Sequence, residues 1–471
     1  MTVRERLIAA VDVYRQPKMA MMLALGFASG LPLMMVFSKL SFWLREAGID
    51  RTTIGFFYWV GLAYSIKFLW APAVDRLKVP FLTDALGRRR SWLIVAMSGT
   101  ALGLFFIGLS DPAETLWLTL LGAFVLAYSG ATVDISVDAW RIESAPNDEQ
   151  ASMAAVYTLG YRFAIMFAGV GLILADIASW RTAYWIMAGV MLTSAMLVLL
   201  MREPARAPRA AAVGGFLVRA KDAVLEPFSQ VLARLKTWAL PVLALVAIYR
   251  LSDFTMGVMA SPLYADLFYP KTVVGSIQIV TPWLIVLGGF IGGFAAAFMG
   301  LLRAMLLGAV VTLFTNAAFA WLSLHPVTEG LACLDLAGDA LAACRDAVVA
   351  TPLEVTRLTL VIGADNFAAG FVGTVFIAYM SSLTDRANAA TQYALFSSAY
   401  AFFCKLIAGF SGVLADAVGW FWFFMITALY AVPPMLLIWL ILAKGSDAAK
   451  GEADASAPDP EDALGDQKAP A

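Results

Sequence analysis

Charge is what this sequence has least of. Asp, Glu, Lys and Arg make up 14% of its 471 residues, where a soluble domain carries about 25%. Histidine occurs once and cysteine three times, too few soft ligands for a His/Cys metal centre. The Walker pattern G-x-x-x-x-G-K-[ST] is missing, which excludes a P-loop pump driven by ATP. No nucleophile–base pair can be built around a lone His325 at a loop edge, so no enzymatic activity is expected. A net charge of −1 supplies no basic field for nucleic acid. What is abundant is apolar: hydrophobic residues reach 61% and mean hydropathy is +0.78. Disordered, collagenous and disulfide-scaffold chains are excluded. The composition is that of a polytopic membrane protein.

A helix needs about 20 apolar residues to cross a bilayer. Runs of that order lie at 19–39, 54–73, 91–110, 116–140, 152–175, 181–201, 239–262, 273–298, 303–324, 356–380, 391–415 and 419–443. They are continuous rather than alternating, which excludes a β-barrel. The first is too long for the h-region of a signal peptide and lacks an A-x-A-like end, so it is expected to stay as a span. Lys and Arg crowd the loops that would share a side with the N-terminus, above all 88–90 and 202–238. The opposite loops hold only Arg45, Arg51, Arg181, Lys271, Arg345 and Arg357. The positive-inside rule then places both termini in the cytoplasm.

The chain divides near its middle. The expected units are a six-helix half at 1–201, a cytoplasmic linker at 202–238, a second six-helix half at 239–443, and an acidic, disordered tail at 444–471. In the linker, Leu217, Val224, Leu225, Phe228, Val231, Leu232 and Leu235 recur at helical spacing, which suits an amphipathic helix on the inner membrane surface. A plain solvated linker is the alternative. The halves echo each other. Leu174 to Trp180 reads L-A-D-I-A-S-W, and Leu414 to Trp420 reads L-A-D-A-V-G-W. Gly169 and Gly409 keep the same offset. Thr52-Thr53-Ile54-Gly55 and Thr272-Val273-Val274-Gly275 open the second and eighth runs. Two six-span halves in parallel repeat are the organisation of major facilitator transporters.

Ionisable groups inside spans are the sharpest signal, because a charge at mid-bilayer costs roughly 2.5–3.5 kcal/mol even on the lenient insertion scale. They are Lys67, Asp134, Asp138, Arg162, Arg250, Asp253, Asp365 and Lys405. Asp134 and Asp138 are four apart and share a helix face; Arg250 and Asp253 are three apart and can pair. We expect Arg162, Arg250, Asp253, Lys405, Asp365 and Lys67 to line a cavity for an anionic solute, since Arg offers a planar fork to carboxylates. Asp134 and Asp138 are the candidate carriers of a coupling proton. The alternative is that these charges only hold helices together. Tyr58, Trp59, Tyr64, Trp140, Tyr157, Tyr161, Tyr249 and Trp283 offer ring faces for sugars, though interfacial belts account for many such residues.

The loop after the second span carries Asp75, Arg76, Gly87, Arg88, Arg89 and Arg90. It resembles the facilitator signature G-x-x-x-D-R-x-G-R-R, with Ala71 in place of the leading Gly and about ten extra residues before the Arg run. Asp75, Arg76, Arg88 and Arg89 would form a cytoplasmic gate, with an Asp at a helix end facing a helix of the other half. Positive-inside anchoring is the simpler alternative. Cys333 and Cys344 share a long outer loop and are a candidate disulfide. Cys404 is expected to pack as a small hydrophobe.

Several stretches carry a more specific likeness. They are Gly26-Phe27-Ala28-Ser29-Gly30-Leu31-Pro32-Leu33, Thr53-Ile54-Gly55-Phe56, Lys67-Phe68-Leu69-Trp70-Ala71-Pro72, and Asp134-Ile135-Ser136-Val137-Asp138-Ala139-Trp140-Arg141-Ile142-Glu143. In the second half Ala390-Thr391-Gln392-Tyr393-Ala394-Leu395 adds to them. Together they resemble the AmpG-type muropeptide permease family of the major facilitator superfamily. The resemblance implies a bacterial inner-membrane importer of GlcNAc-anhydroMurNAc-peptides. It implies proton-motive force as the energy source and no cofactor. It also implies a role in peptidoglycan recycling and, in some Gram-negative bacteria, in β-lactamase induction. The expected partners are an anionic glycopeptide, protons and membrane lipids, with no nucleic acid and a monomeric protein. The family's two fourth-span Asp fall on Asp134 and Asp138. Rival expectations are another anionic solute (a siderophore, a peptide, an acyl-CoA-like anion) and a non-transporting membrane assembly factor.

Overall fold

The computed structural model describes residues 12–146, 149–204, 238–384 and 389–455. Among these there is no β-strand. Ten helical runs are long and apolar enough to cross a membrane: Pro17–Glu46, Arg88–Leu109, Leu116–Ser144, Ser152–Ile177, Trp180–Leu200, Ala239–Asp266, Lys271–Met299, Leu301–Leu322, Pro352–Ser382 and Ser411–Lys444. Two more segments complete twelve. One is a broken span made of Arg51–Phe57, Leu62–Ile66 and Ala71–Arg76, joined by 3-10 turns. The other is Ala389–Ala408. It continues past a short break at 409–410 as far as Gly419, whose φ of +75° turns the chain inside the run Ser411–Leu429. We number the spans α1 to α12 in chain order, with Gly419 dividing α11 from α12. Both ends of the described chain lie on one face, called here the termini face; the other is the far face.

Local chemistry sets the boundaries. Asp50 caps α2 by accepting from the Thr53 amide at 2.8 Å. Its partial burial works the other way, but the Thr53 amide and hydroxyl hold its carboxyl below the usual carboxylate range. Ser179 caps α6, and Thr351 with Glu354 forms a capping box at α10, where Pro352 stands at the first helical position. In α1, Pro32 lacks the amide a regular ladder needs, and the π-helical turn Met35–Lys39 follows it. The helix does not end at residue 39, as the apolar run suggested, but reaches Glu46. Lys39 is therefore interior, with 2% of its surface exposed. The tail expected to be disordered from 444 continues α12 as helix to Ala455, its Ala, Lys and Glu being good helix formers. The expected amphipathic linker helix at 217–235 and the last residues of the tail lie outside the described residues.

The apolar core is lopsided. One cluster joins first-half residues such as Leu25, Met97, Tyr184 and Leu172 to Met259, Tyr264, Phe319 and Phe423 of the second half. A separate cluster, with Val246, Tyr249, Met305 and Phe376, stays within the second half. The second-half members of the first cluster sit at the far ends of their helices, so the halves are fused by apolar contact on the far face.

Over that face lies a small lid, with a 3-10 turn Glu329–Cys333 and a helix Gly338–Ala347. The structure joins Cys333 to Cys344 by a disulfide. Closing a loop of this length stabilises by roughly 3 kcal/mol in the chain-entropy account. The Cys344→Ala protein is therefore expected to exchange the amide hydrogens of 338–347 roughly a hundredfold faster. Unchanged exchange would mean that docking on the helical bundle, not the disulfide, orders the lid.

Candidate functional site

A cavity of about 390 Å³ lies between the halves, walled by α1, α2, α5, α7, α8 and α10. Its polar wall includes Ser38, Lys39, Arg250, Asp253, Gln278, Asp365 and Asn366. Arg250 stands at the break between Ala239–Ile248 and Leu251–Asp266, where its Nε donates to Asp253 at 2.9 Å. That pair is internally neutral. Asn366 donates to Thr281 at 2.8 Å, linking α10 to α8. Two bonds from the π turn roof the cavity across the halves. Ser38 meets Ser261 at 3.0 Å, and Lys39 Nζ donates to Gln278 Oε1. Lys39 did not figure among the sequence candidates, because the apolar run appeared to stop at it. A larger crevice of about 570 Å³ between α1, α5 and α6 is lined by residues such as Leu23, Phe27, Phe163 and Ile186. It holds no charge and is an apolar flank.

A second cluster lies toward the termini face. Lys67 pairs with Asp134 at 3.5 Å. The other carboxylate oxygen of Asp134, Oδ1, is buried without a hydrogen-bond partner among the described residues. Lys405 crosses from the second half, donates to the carbonyl of Gly61 at 3.1 Å and lies over the Tyr64 ring. Gly61 stands where the 3-10 turn Tyr58–Gly61 passes into the helix Leu62–Ile66. Shared helix face did not give Asp134 and Asp138 one environment. Asp138 is 52% exposed and pairs with Arg141 at 3.7 Å. Arg162, three residues from the cavity-lining Ile165, is half-buried and outside the cavity wall.

The expected gate residues gather on the termini face. Arg89, 2% exposed, donates to Asp75 at 2.8 Å and to both oxygens of Glu143 at 2.8 and 2.5 Å. Arg88 donates to the Asp75 carbonyl at 2.6 Å. Glu203 accepts from the amides of Arg89 and Arg90 at 2.8 and 3.1 Å, which caps α3. These bonds tie α2, α3, α4 and the end of α6 within the first half. Arg76 is exposed.

The ion pairs that join the halves stand on the far face, among residues not singled out in the sequence. Asp266 of α7 accepts from Arg45 at 2.6 Å, Arg51 at 3.1 Å and the Trp420 indole at 2.9 Å. Glu46 of α1 accepts from Lys271 at 2.8 Å and the Trp180 indole at 2.5 Å. Asp416 accepts from the Thr52 amide at 3.0 Å, and Asp176 from the Thr272 amide at 2.9 Å. The helix crossings match: a Cβ on Gly55 would come within 2.6 Å of the Gly409 carbonyl, and one on Gly275 within 2.6 Å of the Gly169 carbonyl. The two sequence echoes are thus the two halves of one gate, related by an approximate twofold. The lid adds Asp346, 3.4 Å from Lys271. Among the described residues no three His, Cys, Asp or Glu side chains converge as a metal site requires.

A family model of the Major Facilitator Superfamily matches residues 19–337. The chain belongs to that superfamily. It is a multi-pass membrane protein and a transporter. It is 28% identical over 446 residues to "Putative transporter AmpG 4" of Rickettsia conorii, covering 92% of this chain and 98% of that protein. It is 29% identical over 434 residues to "Anhydromuropeptide permease" of Escherichia coli, covering 90% of this chain and 80% of that one. Among solved structures it resembles the nucleoside transporter NupG, with a TM-score of 0.59, 15% identity, and 91% and 99% of the two chains covered. It also resembles a D-xylose-proton symporter, with a TM-score of 0.60, 13% identity, and 89% and 96% covered. These two carry the fold alone.

Proposed function

We propose that this protein imports anhydromuropeptides across the bacterial inner membrane by alternating access, drawing on the proton-motive force. The observation that carries the substrate is the charged cavity between the halves of a chain that matches, along most of its length, a permease named for these molecules. Such a ligand offers carboxylates to the cavity cations and sugar rings to aromatic walls such as Tyr58 and Tyr264. The positive-inside distribution puts both termini in the cytoplasm. The far face is then periplasmic, and the structure is the state with its outer gate closed. In the cycle, the halves 1–201 and 239–443 rock about the cavity, and the outer gate opens to admit ligand. A proton on Asp134 then weakens its hold on Lys67, and ligand and proton leave inward. Asp75, Arg88, Arg89 and Glu143 keep the first half rigid while it moves.

The test is uptake of labelled GlcNAc-anhydroMurNAc-tripeptide by proteoliposomes with and without an inward proton gradient. Gradient-driven accumulation that a protonophore abolishes is the expected result. No uptake by folded protein would remove the substrate and send the search to other anionic solutes or to a non-transporting role.

A further inference from the structure

Two cations line the central cavity among the described residues, Arg250 and Lys39, and no acid answers the charge of Lys39. Arg250 is matched by Asp253, and Lys67 by Asp134. Lys405 rests on a carbonyl and a ring. Lys39 is 2% exposed and lines the cavity roof, yet among the described residues no carboxylate lies within ion-pair distance of it. Its partner is the neutral amide of Gln278, on the other half. A buried ammonium so held is poorly compensated, because an amide oxygen carries only a partial charge. The π turn Met35–Lys39 inserts an extra residue per turn and sets Ser38 and Lys39 side by side against the second half, an arrangement frequent at functional sites.

From this geometry we infer that Lys39 is the carboxylate-binding subsite of the cavity, and that Gln278 is its internal stand-in when no ligand is bound. The inference rests on the importer reading for the identity of the ligand, not for the chemistry of the subsite. When the far face opens, the halves part, Lys39 loses Gln278 and takes the ligand carboxylate, the stronger acceptor. When the ligand leaves toward the termini face, Gln278 returns and the roof closes over an empty cavity. Lys39 is a binding residue, and Gln278 positions it. The other charged groups that face the cavity are Arg250, Asp253 and Asp365. Asp365 stands next to Asn366, which α8 holds through Thr281.

Two measurements test this. The first is binding of GlcNAc-anhydroMurNAc-tripeptide and of the same molecule with its carboxylates converted to amides. The native protein should prefer the free acid at least tenfold. Lys39→Met should bind both as weakly as the native protein binds the amide, and Lys39→Arg should restore most of the preference. A Lys39→Met protein that keeps the preference overturns the assignment. The second needs no muropeptide. Gln278→Glu gives Lys39 a built-in carboxylate, so it should raise the unfolding temperature of the purified protein and do so only while Lys39 is present. A Gln278→Glu protein that unfolds earlier than the native one also overturns the assignment. Native protein that ignores both muropeptides, while Gln278→Glu stabilises through Lys39, would retire the muropeptide and keep the subsite.

Discussion

An Asp266→Asn protein is expected to spend most of its time with the far face open and to lose most of its uptake. Asp266 holds Arg45, Arg51 and the Trp420 indole at once, and its side chain is 13% exposed. Exposed ion pairs contribute about 0.2–1 kcal/mol, and breaking buried ones costs about 3–5 kcal/mol. This site lies between those limits, so removing its charge should shift the open–closed balance by roughly 2–3 kcal/mol, or about 30- to 150-fold. The check is alkylation of a Ser261→Cys protein by a membrane-impermeant thiol reagent applied from the far face. Ser261 is sealed under the closed gate, 3.0 Å from Ser38. The native Cys404 is buried, and the other two cysteines are bonded to each other. Labelling should accelerate at least tenfold on adding Asp266→Asn. Unchanged labelling would show that the Asp266 cluster is not what keeps the gate shut.

The gate's near-symmetry explains why one acid matters so much. Arg51 and Lys271 occupy equivalent places at the starts of α2 and α8, and each reaches the acid that ends the first span of the other half. Asp416 and Asp176 each cap the helix beside that cation, where an acid also meets the positive end of the helix dipole. The two sides differ only in their reinforcements. Arg45 adds a second cation to Asp266, and the lid adds Asp346 to Lys271. The halves therefore close on two equivalent anchors. Weakening the Asp266 anchor leaves the Gly55–Gly409 crossing without the charges that draw it together, and the Lys271 anchor must hold the gate by itself.

Much of this was legible in the residues and some was not. Continuous apolar runs marked the spans, because a membrane helix must present apolar side chains on every lipid-facing turn. The L-A-D and T-x-x-G echoes marked the repeat, but nothing in one sequence said that each echo docks on the other half. The gate cations Arg45, Arg51 and Lys271 looked like ordinary loop charges, since depth along a helix end is a tertiary property. Lys39 escaped notice because a π turn has no sequence signature, and hydropathy read its charge as the end of the span. Asp75 and the Arg run were found, but their partners were not. The buried Arg89 guanidinium needs more than one acceptor; Glu143 joins Asp75 in supplying them, and Glu203 takes the backbone amides of Arg89 and Arg90 instead. Periodicity put Asp134 and Asp138 on one face, yet one further turn carries Asp138 out to where it is half-exposed.

That last difference leads to the sharpest test of energy coupling. Asp134 is enclosed, with Lys67 on one oxygen and, among the described residues, no hydrogen-bond partner on the other. A proton there would neutralise a carboxylate that is only half compensated and would loosen Lys67 for its next partner. Asp138 faces water and Arg141 and has no such lever. With one proton per ligand and no membrane potential, an inward gradient of one pH unit supports accumulation of about tenfold, equal to about 1.4 kcal/mol. Proteoliposomes bearing Asp134→Asn are expected to equilibrate the tripeptide ligand without concentrating it, while exchange of labelled for unlabelled ligand stays within a few-fold of native. Asp138→Asn is expected to concentrate it as the native protein does. Exchange separates loss of coupling from loss of binding, because exchange needs the moving cavity and not the proton. If Asp134→Asn still reached tenfold accumulation, the coupling proton would ride elsewhere, and Asp365, the cavity-wall acid with no ion pair among the described residues, would be the next to replace.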